Sequence, residues 1–466
     1  MQGEPAMRLL DSSSLQRRGL TLIAASELWE RFAFFGVQGL VFLFLRSRIA
    51  ERGGLKGFWA GPALERIISG VAPAAQPGQL ASVMVGLYTS LIYVAVIIGG
   101  LVTDHGLRAR RVVAVGGALS VAGYALMAFE PAFLAGMGLV VIGSGGFKGN
   151  ISNEFAIRAP AGPRRDEAFR FFFIALHCGM LAAPLVCGTL GQIAGWRWGF
   201  AAAASGMLLS LLIYLAVPPP SRPKAQETRL PDTRTGWSRG QMTGFAVLLP
   251  VFAMGFIGSQ QIYNVYVGWA QANVKLMLGG RLMPSTWLLA VDTALELAML
   301  AGSVLFWRAW RRRRPEPDAL RKVAFAGFPI ALAFGCLALI RQSHGAPTVA
   351  LVLGFHALNG LGYATMLPAA LAFLTRCAPP GSRSTVVGLF YLQFAVAAIA
   401  AGLIGRWLDQ IGGPAFWTLH AAIAAGAGIA LLLMRRWLLA RLDPDARLPG
   451  QHRPGPPIEA PAPLAA

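Results

Sequence analysis

The chain has 466 residues, 55% of them hydrophobic and 13% charged, with a formal net charge of +20. That mixture excludes a disordered segment or an ordinary soluble domain and suits many apolar spans of ~20 residues joined by polar loops. The charge would also suit a nucleic-acid binder, so its placement along the chain decides between the two.

Twelve spans are predicted, near residues 19–45, 80–101, 111–129, 132–154, 168–190, 199–217, 241–268, 284–307, 322–340, 348–374, 384–405 and 414–434. With the amino terminus in the cytoplasm, 29 of the 41 Lys and Arg residues fall on that side and 10 on the other; Arg31 and Lys148 lie within spans. The bias is that of the positive-inside rule, so the basic charge orients the protein and no nucleic-acid partner is required. Both termini are expected to be cytoplasmic, in a cytoplasmic (inner) membrane. The first apolar run is too long for a cleavable signal, and Ser26 to Arg31 would interrupt its core.

The first span carries "ELWERFAFFG", with Glu27, Glu30 and Arg31 inside otherwise apolar sequence. A charge at the centre of a span costs about 2.5–3.5 kcal/mol on the lenient insertion scale. Spacings of three and four residues put all three on one helical face, where they can pair. They could form a structural ion pair or a proton site; intramembrane ionisable groups usually line a pathway, which favours the second. An arginine holds a neighbouring carboxylate ionised, and drawing that arginine towards a substrate raises the carboxylate's proton affinity.

Between the second and third spans, "GGLVTDHGLRARR" places Asp104 beside Arg108, Arg110 and Arg111, so that Asp104, Arg110 and Arg111 could clamp neighbouring helices in one state, as a gating or structural device. The fourth span holds Lys148 in "GSGGFKGN", one of five lysines in the chain, with glycines that permit close helix approach. This lysine could snorkel to the inner face near Asn150, Asn153 and Glu154, or stand in a central cavity, which is the preferred reading. The stretch Pro218 to Gly240 is rich in proline and charge and cannot enter lipid as a helix. It divides residues 1–217 from 241–440, six spans each, and 441–466 is a low-complexity tail expected to be disordered.

In the seventh span "SQQIYNVY" offers Gln261, Tyr263 and Asn264 where the helix should break towards the cavity, though such groups also serve as interhelical glue. In the eighth, Asp292 and Glu296 stand one turn apart on one face, where they could receive a substrate group or bond to a neighbouring helix. His356 and Asn359 in the tenth are weaker candidates. Cys178, Cys187, Cys336 and Cys377 have no metal or disulfide spacing and read as small packing residues. HExxH, GxSxG and GxxxxGK[ST] motifs are absent from the sequence, so neither an enzyme nor ATP-driven transport is expected.

"ELWERFAFFG" resembles the ExxERFxYYG motif of the proton-coupled oligopeptide transporters, a branch of the major facilitator superfamily. The resemblance extends through "YTSLIYVAVIIGGLVTD", "GFKGNIS", "FFFIALHCGMLAAP", "MPSTWLLAVD" and "LPAALAFLTRCAP". It implies an all-α membrane protein with twelve transmembrane helices in two six-helix bundles around a central cavity. It also implies proton-driven symport, with Glu27, Glu30 and Arg31 in coupling, Lys148 beside the substrate carboxylate and Tyr93 in the pocket. The loop around Asp104 matches the superfamily's signature loop.

The departures fall on positions where the family binds peptide. Its paired tyrosines are Phe34 and Phe35 here, and its second arginine is Gln38. The asparagine of its fifth-span signature is His177, that of its eighth span is Asp292, its tenth-span glutamate is Tyr363, and a seventh-span acid is Gln260. Substrate contacts are therefore expected from Arg31, Phe34, Gln38, Tyr93, Lys148, His177, Gln261, Asn264, Asp292, Glu296 and Tyr363. Asp292 and Glu296, with His177 nearby, would replace the missing glutamate as receivers of the peptide amine. The expected cargo is a di- or tripeptide or a peptide-like zwitterion, driven by the proton gradient without a cofactor or an obligatory protein partner. The alternatives are a transporter or exporter of a non-peptide metabolite on the same scaffold, or a transporter-like receptor or channel.

Overall fold

The computed structural model describes residues 4–70, 76–105, 107–160, 163–219, 237–274, 276–278, 280–340, 346–379 and 383–442. Its elements in order are α1 (Glu4–Arg52), α2 (Gly61–Ser69), α3 (Pro77–Asp104), α4 (Ala109–Met127), α5 (Phe133–Arg158), α6 (Pro163–Ala183) and α7 (Trp196–Leu215). There follow α8 (Arg239–Ile262), α9 (Val265–Asn273), α10 (Trp287–Arg311), α11 (Ala319–Ala338), α12 (Ala346–Arg376), α13 (Arg383–Gly405) and α14 (Leu408–Leu442). Before α10, β1 (Met277–Leu278) and β2 (Arg281–Leu282) form a short antiparallel pair with Met277 opposite Leu282.

Among the described residues, eleven helices are long and apolar enough to cross a membrane. The predicted third span corresponds to α4, which has 19 residues and carries Arg110 and Arg111 in its first turn. It packs as a full member of its bundle, against α5 and α7. The predicted spans thus coincide with α1, α3, α4, α5, α6, α7, α8, α10, α11, α12, α13 and α14.

Local sequence explains several boundaries. Gln76 and Gln79 form a reciprocal capping box at the start of α3, and Ser238 with Gln241 does the same for α8. Asp318 caps α11 by accepting from the Arg321 amide at 3.2 Å, and its other oxygen accepts from Arg435 of α14 at 2.8 Å. After Ala183 the fifth span continues as two π-helical segments, Pro184–Gly188 and Leu190–Ala194, which widen the helix where it meets α10. The seventh span breaks between α8 and α9, with Asn264 at φ −117°, ψ −115°.

The helices pack as two groups. In one, α1 lies against α3, α6 and α7, while α5 fills the space beside α3 and α4; in the other, α11 packs on α12 and α14, with α8 on α13 and α14 and α10 on α12. Within its most apolar window α1 is 78% buried, against 33–56% for the other spanning helices. The charges on α1 are therefore enclosed by helices, while apolar side chains such as Leu332, Ile142 and Leu433 are exposed on outward faces. Such a surface suits lipid.

The two groups touch chiefly through α3 with α13, α6 with α10 and α1 with α9. Many of these contacts lie at the end bearing the α1–α3 connection. There Ser82 donates to Gly402 O at 3.0 Å, and Asn264 Nδ2 donates to Ser82 Oγ at 3.1 Å. Trp287 Nε1 donates to Thr189 Oγ1 at 2.8 Å, and the Ser285 amide to Gln192 Oε1 at 3.1 Å. Gly86 and Gly402 make the α3–α13 crossing close: a Cβ on Gly86 would stand 2.6 Å from the Gly402 Cα.

Candidate functional site

The charged residues of the first and fourth spans converge into one cluster. Arg31 Nη2 lies 2.5 Å from Glu27 Oε1, and its Nε lies 3.5 Å from Glu30 Oε2. Lys148 Nζ, from α5, lies 2.8 Å from Glu30 Oε1. Side-chain exposure is 0% for Glu27, 3% for Glu30, 8% for Lys148 and 18% for Arg31, so the arginine is the most open member. Two carboxylates and two cations make a formally neutral quartet, which is how charges become tolerable away from water. Removing one member leaves a buried charge uncompensated and costs about 3–5 kcal/mol.

Packing fixes the quartet's geometry. Gly179 brings α6 against α1: a Cβ there would stand 2.1 Å from Leu28 O and 3.1 Å from the Arg31 Cβ. On α5, a Cβ on Gly145 would meet Ala95 O at 2.5 Å, and one on Gly146 would meet Val112 O at 2.8 Å. The "GSGGFKGN" glycines thus press α5 between α3 and α4, while Lys148 turns to α1. There Lys148 Nζ also sits 3.3 Å from the centroid of Phe34, a cation–π contact that steers the ammonium beside Glu30. Lys148 does not snorkel to the membrane surface. Tyr88 of α3, which sequence reading passed over, is buried near Glu30 with its hydroxyl unpartnered among the described residues.

From this cluster, aromatic rings lead to the second bundle. Phe34 meets Phe35 edge-on at 5.1 Å, and Phe35 meets Tyr263, at the α8–α9 break, at 5.4 Å. Tyr391 of α13 is close enough to Arg31 and Glu27 to interact electrostatically. Tyr93 stacks on Phe394 at 5.4 Å and interacts with Gln260 across the same boundary. The open edge of the quartet therefore faces the junction between bundles.

In the second bundle, Asp292 is buried and Glu296 half-buried one turn along α10. The polar partner of Asp292 is His356 of α12, whose Nδ1 lies 2.7 Å from Asp292 Oδ1. This corrects the expected association with His177, whose Nδ1 lies 2.7 Å from Phe173 O of its own helix. Both α6 and α12 pack on α10, and it is His356, on α12, that reaches Asp292.

Four other expected pocket residues are engaged between helices instead. Gln38 Nε2 donates to Thr89 Oγ1 of α3 at 3.3 Å, and Gln261 Nε2 to Ala401 O of α13 at 2.9 Å. Asn264 ties α9 to α3 through Ser82. The Tyr363 hydroxyl accepts from the Ser259 amide at 2.9 Å and donates to Gly255 O at 3.1 Å, which satisfies the backbone of α8. A polar side chain facing a neighbouring helix and one facing a cavity leave the same mark in sequence. Of the expected gate, Arg110 donates to Leu215 O at the end of α7 at 3.1 Å and Arg111 is exposed. The Asp104 side chain lies outside the described residues.

Residues 110–220 match the model of the POT family (PTR2). The chain is 26% identical to the peptide transporter YePEPT of Yersinia enterocolitica subsp. palearctica serotype O:3 (strain YE-P4), over 91% of this chain and 93% of that protein. It is 33% identical to the di-/tripeptide transporter of Lactococcus lactis subsp. cremoris, over 43% of this chain and 37% of that one. Among solved structures it is similar to a POT family transporter in complex with 5-aminolevulinic acid, with a TM-score of 0.73 and 18% identity, over 90% of this chain and 96% of that chain.

Proposed function

The chain belongs to the POT family, and on that premise we propose that it is a proton-coupled symporter of di- and tripeptides or peptide-like zwitterions in the cytoplasmic membrane. The observation that carries this reading is the neutral, enclosed quartet of Glu27, Glu30, Arg31 and Lys148. A substrate carboxylate that takes Arg31 or Lys148 as its partner adds a negative charge to a site largely shielded from solvent. Neutrality returns when the displaced glutamate binds a proton, so cargo and proton enter together. Arg31 and Lys148 hold the carboxylate end, and Glu30, in contact with both cations, is the proton acceptor. Asp292 and Glu296 face the ammonium end.

The two bundles, residues 1–217 and 241–440, rock about this site, and 218–240 is their cytoplasmic connection. The hydrogen bonds of Ser82, Asn264, Thr189, Trp287, Gln192 and Ser285 support closure of the two bundles at the far face. Both termini are cytoplasmic. The proton gradient supplies the energy, with no cofactor and no enzymatic step.

Purified protein in proteoliposomes with an inward proton gradient tests the reading. Labelled Ala-Ala accumulates, and a protonophore abolishes the accumulation. If a broad dipeptide panel neither accumulates nor competes, peptide transport is excluded and a non-peptide metabolite becomes the cargo to identify.

A further inference from the structure

The pairing of Asp292 with His356 is part of a longer chain. His356 Nδ1 lies 2.7 Å from Asp292 Oδ1, and its Nε2 lies 2.8 Å from the hydroxyl of Tyr266 on α9. His356 is 0% exposed. Its ring packs at 4.8 Å from Phe355, and Tyr266 packs at 5.2 Å from Phe355 and 6.2 Å from Trp417, so the imidazole lies in an aromatic shell. Three helices each contribute one member to this hydrogen-bonded line, and only Asp292 has part of its side chain exposed.

We propose that Asp292, His356 and Tyr266 form a second proton-binding site, built wholly within the second bundle and separate from the quartet on α1 and α5. Its role in transport rests on the symport reading; its capacity to bind a proton does not. With a neutral imidazole, Nδ1–H donates to the Asp292 carboxylate and Nε2 accepts from the Tyr266 hydroxyl, and the line carries one negative charge. A proton entering past Asp292 converts His356 to imidazolium. Nε2–H then donates to the Tyr266 oxygen, the tyrosine hydrogen turns away, and the line becomes neutral.

The groups around the line favour that exchange. Glu296 of α10 lies near Asp292, and Tyr263 at the α8–α9 break and Tyr363 of α12 lie near both acids. On α14, His420 lies behind Trp417 and bonds its own helix through Phe416 O. An uncompensated carboxylate in such a place is costly, and a proton on the adjacent imidazole removes the cost. Protonation also weakens the pull of Asp292 on a substrate ammonium, so this site would govern the amine end as the quartet governs the carboxylate end.

The test is an infrared difference spectrum of the full chain in nanodiscs, without substrate, between neutral and mildly acidic buffer. Wild type should show imidazolium bands appearing together with a perturbed carboxylate band. His356→Gln should lose the imidazolium bands of this site, and Asp292→Asn the coupled carboxylate band. Tyr266→Phe, which keeps the ring packing, should retain the imidazolium bands at shifted frequency. Identical spectra in wild type and His356→Gln would overturn the proposal, as would bands unmoved in Tyr266→Phe. Ala-Ala uptake is measured in parallel. Spectral changes as expected without peptide accumulation sink the peptide reading and leave the proton site standing. Accumulation with no His356-dependent bands sinks the proton site alone.

Discussion

At the scale of single residues, Lys148 and Glu30 carry opposite halves of the account. Lys148 Nζ sits between Glu30 and the face of Phe34, so its removal should weaken binding of carboxylate-bearing ligands far more than of the corresponding amides. Competition binding with Lys148→Ala checks this, and an equal effect on both ligand types would place the lysine outside the pocket. Glu30→Gln should abolish gradient-driven uptake while leaving counterflow exchange measurable, because exchange needs no net proton movement. Equal loss of both would make the glutamate merely structural. Much of this cluster was legible: the spacing of Glu27 and Arg31 dictates their pairing on a helix, and a lysine among apolar residues in a chain with five lysines stands out. The cation–π role of Phe34 and the Asp292–His356 bond were not legible, because each joins residues from different helices whose packing no local pattern encodes.

At the scale of elements, α5 shows how small residues position chemistry. Its glycines bring backbone against α3 and α4, and the fixed helix then delivers Lys148 to α1. Gly145→Leu should force the α3–α5 contact apart, and overpacking of this kind costs about 1–3 kcal/mol. Thermal unfolding in detergent should fall accordingly, and uptake should fall with it; an unchanged unfolding temperature would show that α5 does not depend on that approach. The run of glycines announced close packing in the sequence, and the break at Tyr263–Asn264 falls where the polar cluster placed it. The π-helical segments after Ala183 went unforeseen. A widened turn needs contacts on its far side, here Thr189 against Trp287 of α10 and Gln192 against Ser285 just before it, and those are set by the other bundle.

At the scale of the whole molecule, the closed end depends on α3 meeting α13 without side chains between them. Gly402→Leu should hold that crossing open, since a Cβ there would already stand 2.9 Å from the Gly86 Cα. A cysteine at Ser82, buried at 0% exposure, then reports the change. With Gly402 intact Ser82→Cys should resist a membrane-impermeant thiol reagent, and in the Gly402→Leu background it should react; equal labelling would show that this crossing is not the closure. The spanning helices were legible because they must satisfy their backbone internally and announce themselves by length and apolarity. Which ends of the bundles meet was not, since Gly86, Gly402 and Ser82 look like ordinary small residues until two helices are laid together.

On the proposed mechanism, cargo cannot enter the neutral quartet without a proton. Proteoliposomes loaded with a pH-sensitive dye measure it directly: under an inward proton gradient, addition of Ala-Ala should acidify the lumen in step with labelled peptide entry, and Glu30→Gln should show neither. Peptide entry without acidification, or acidification unchanged in Glu30→Gln, would contradict it.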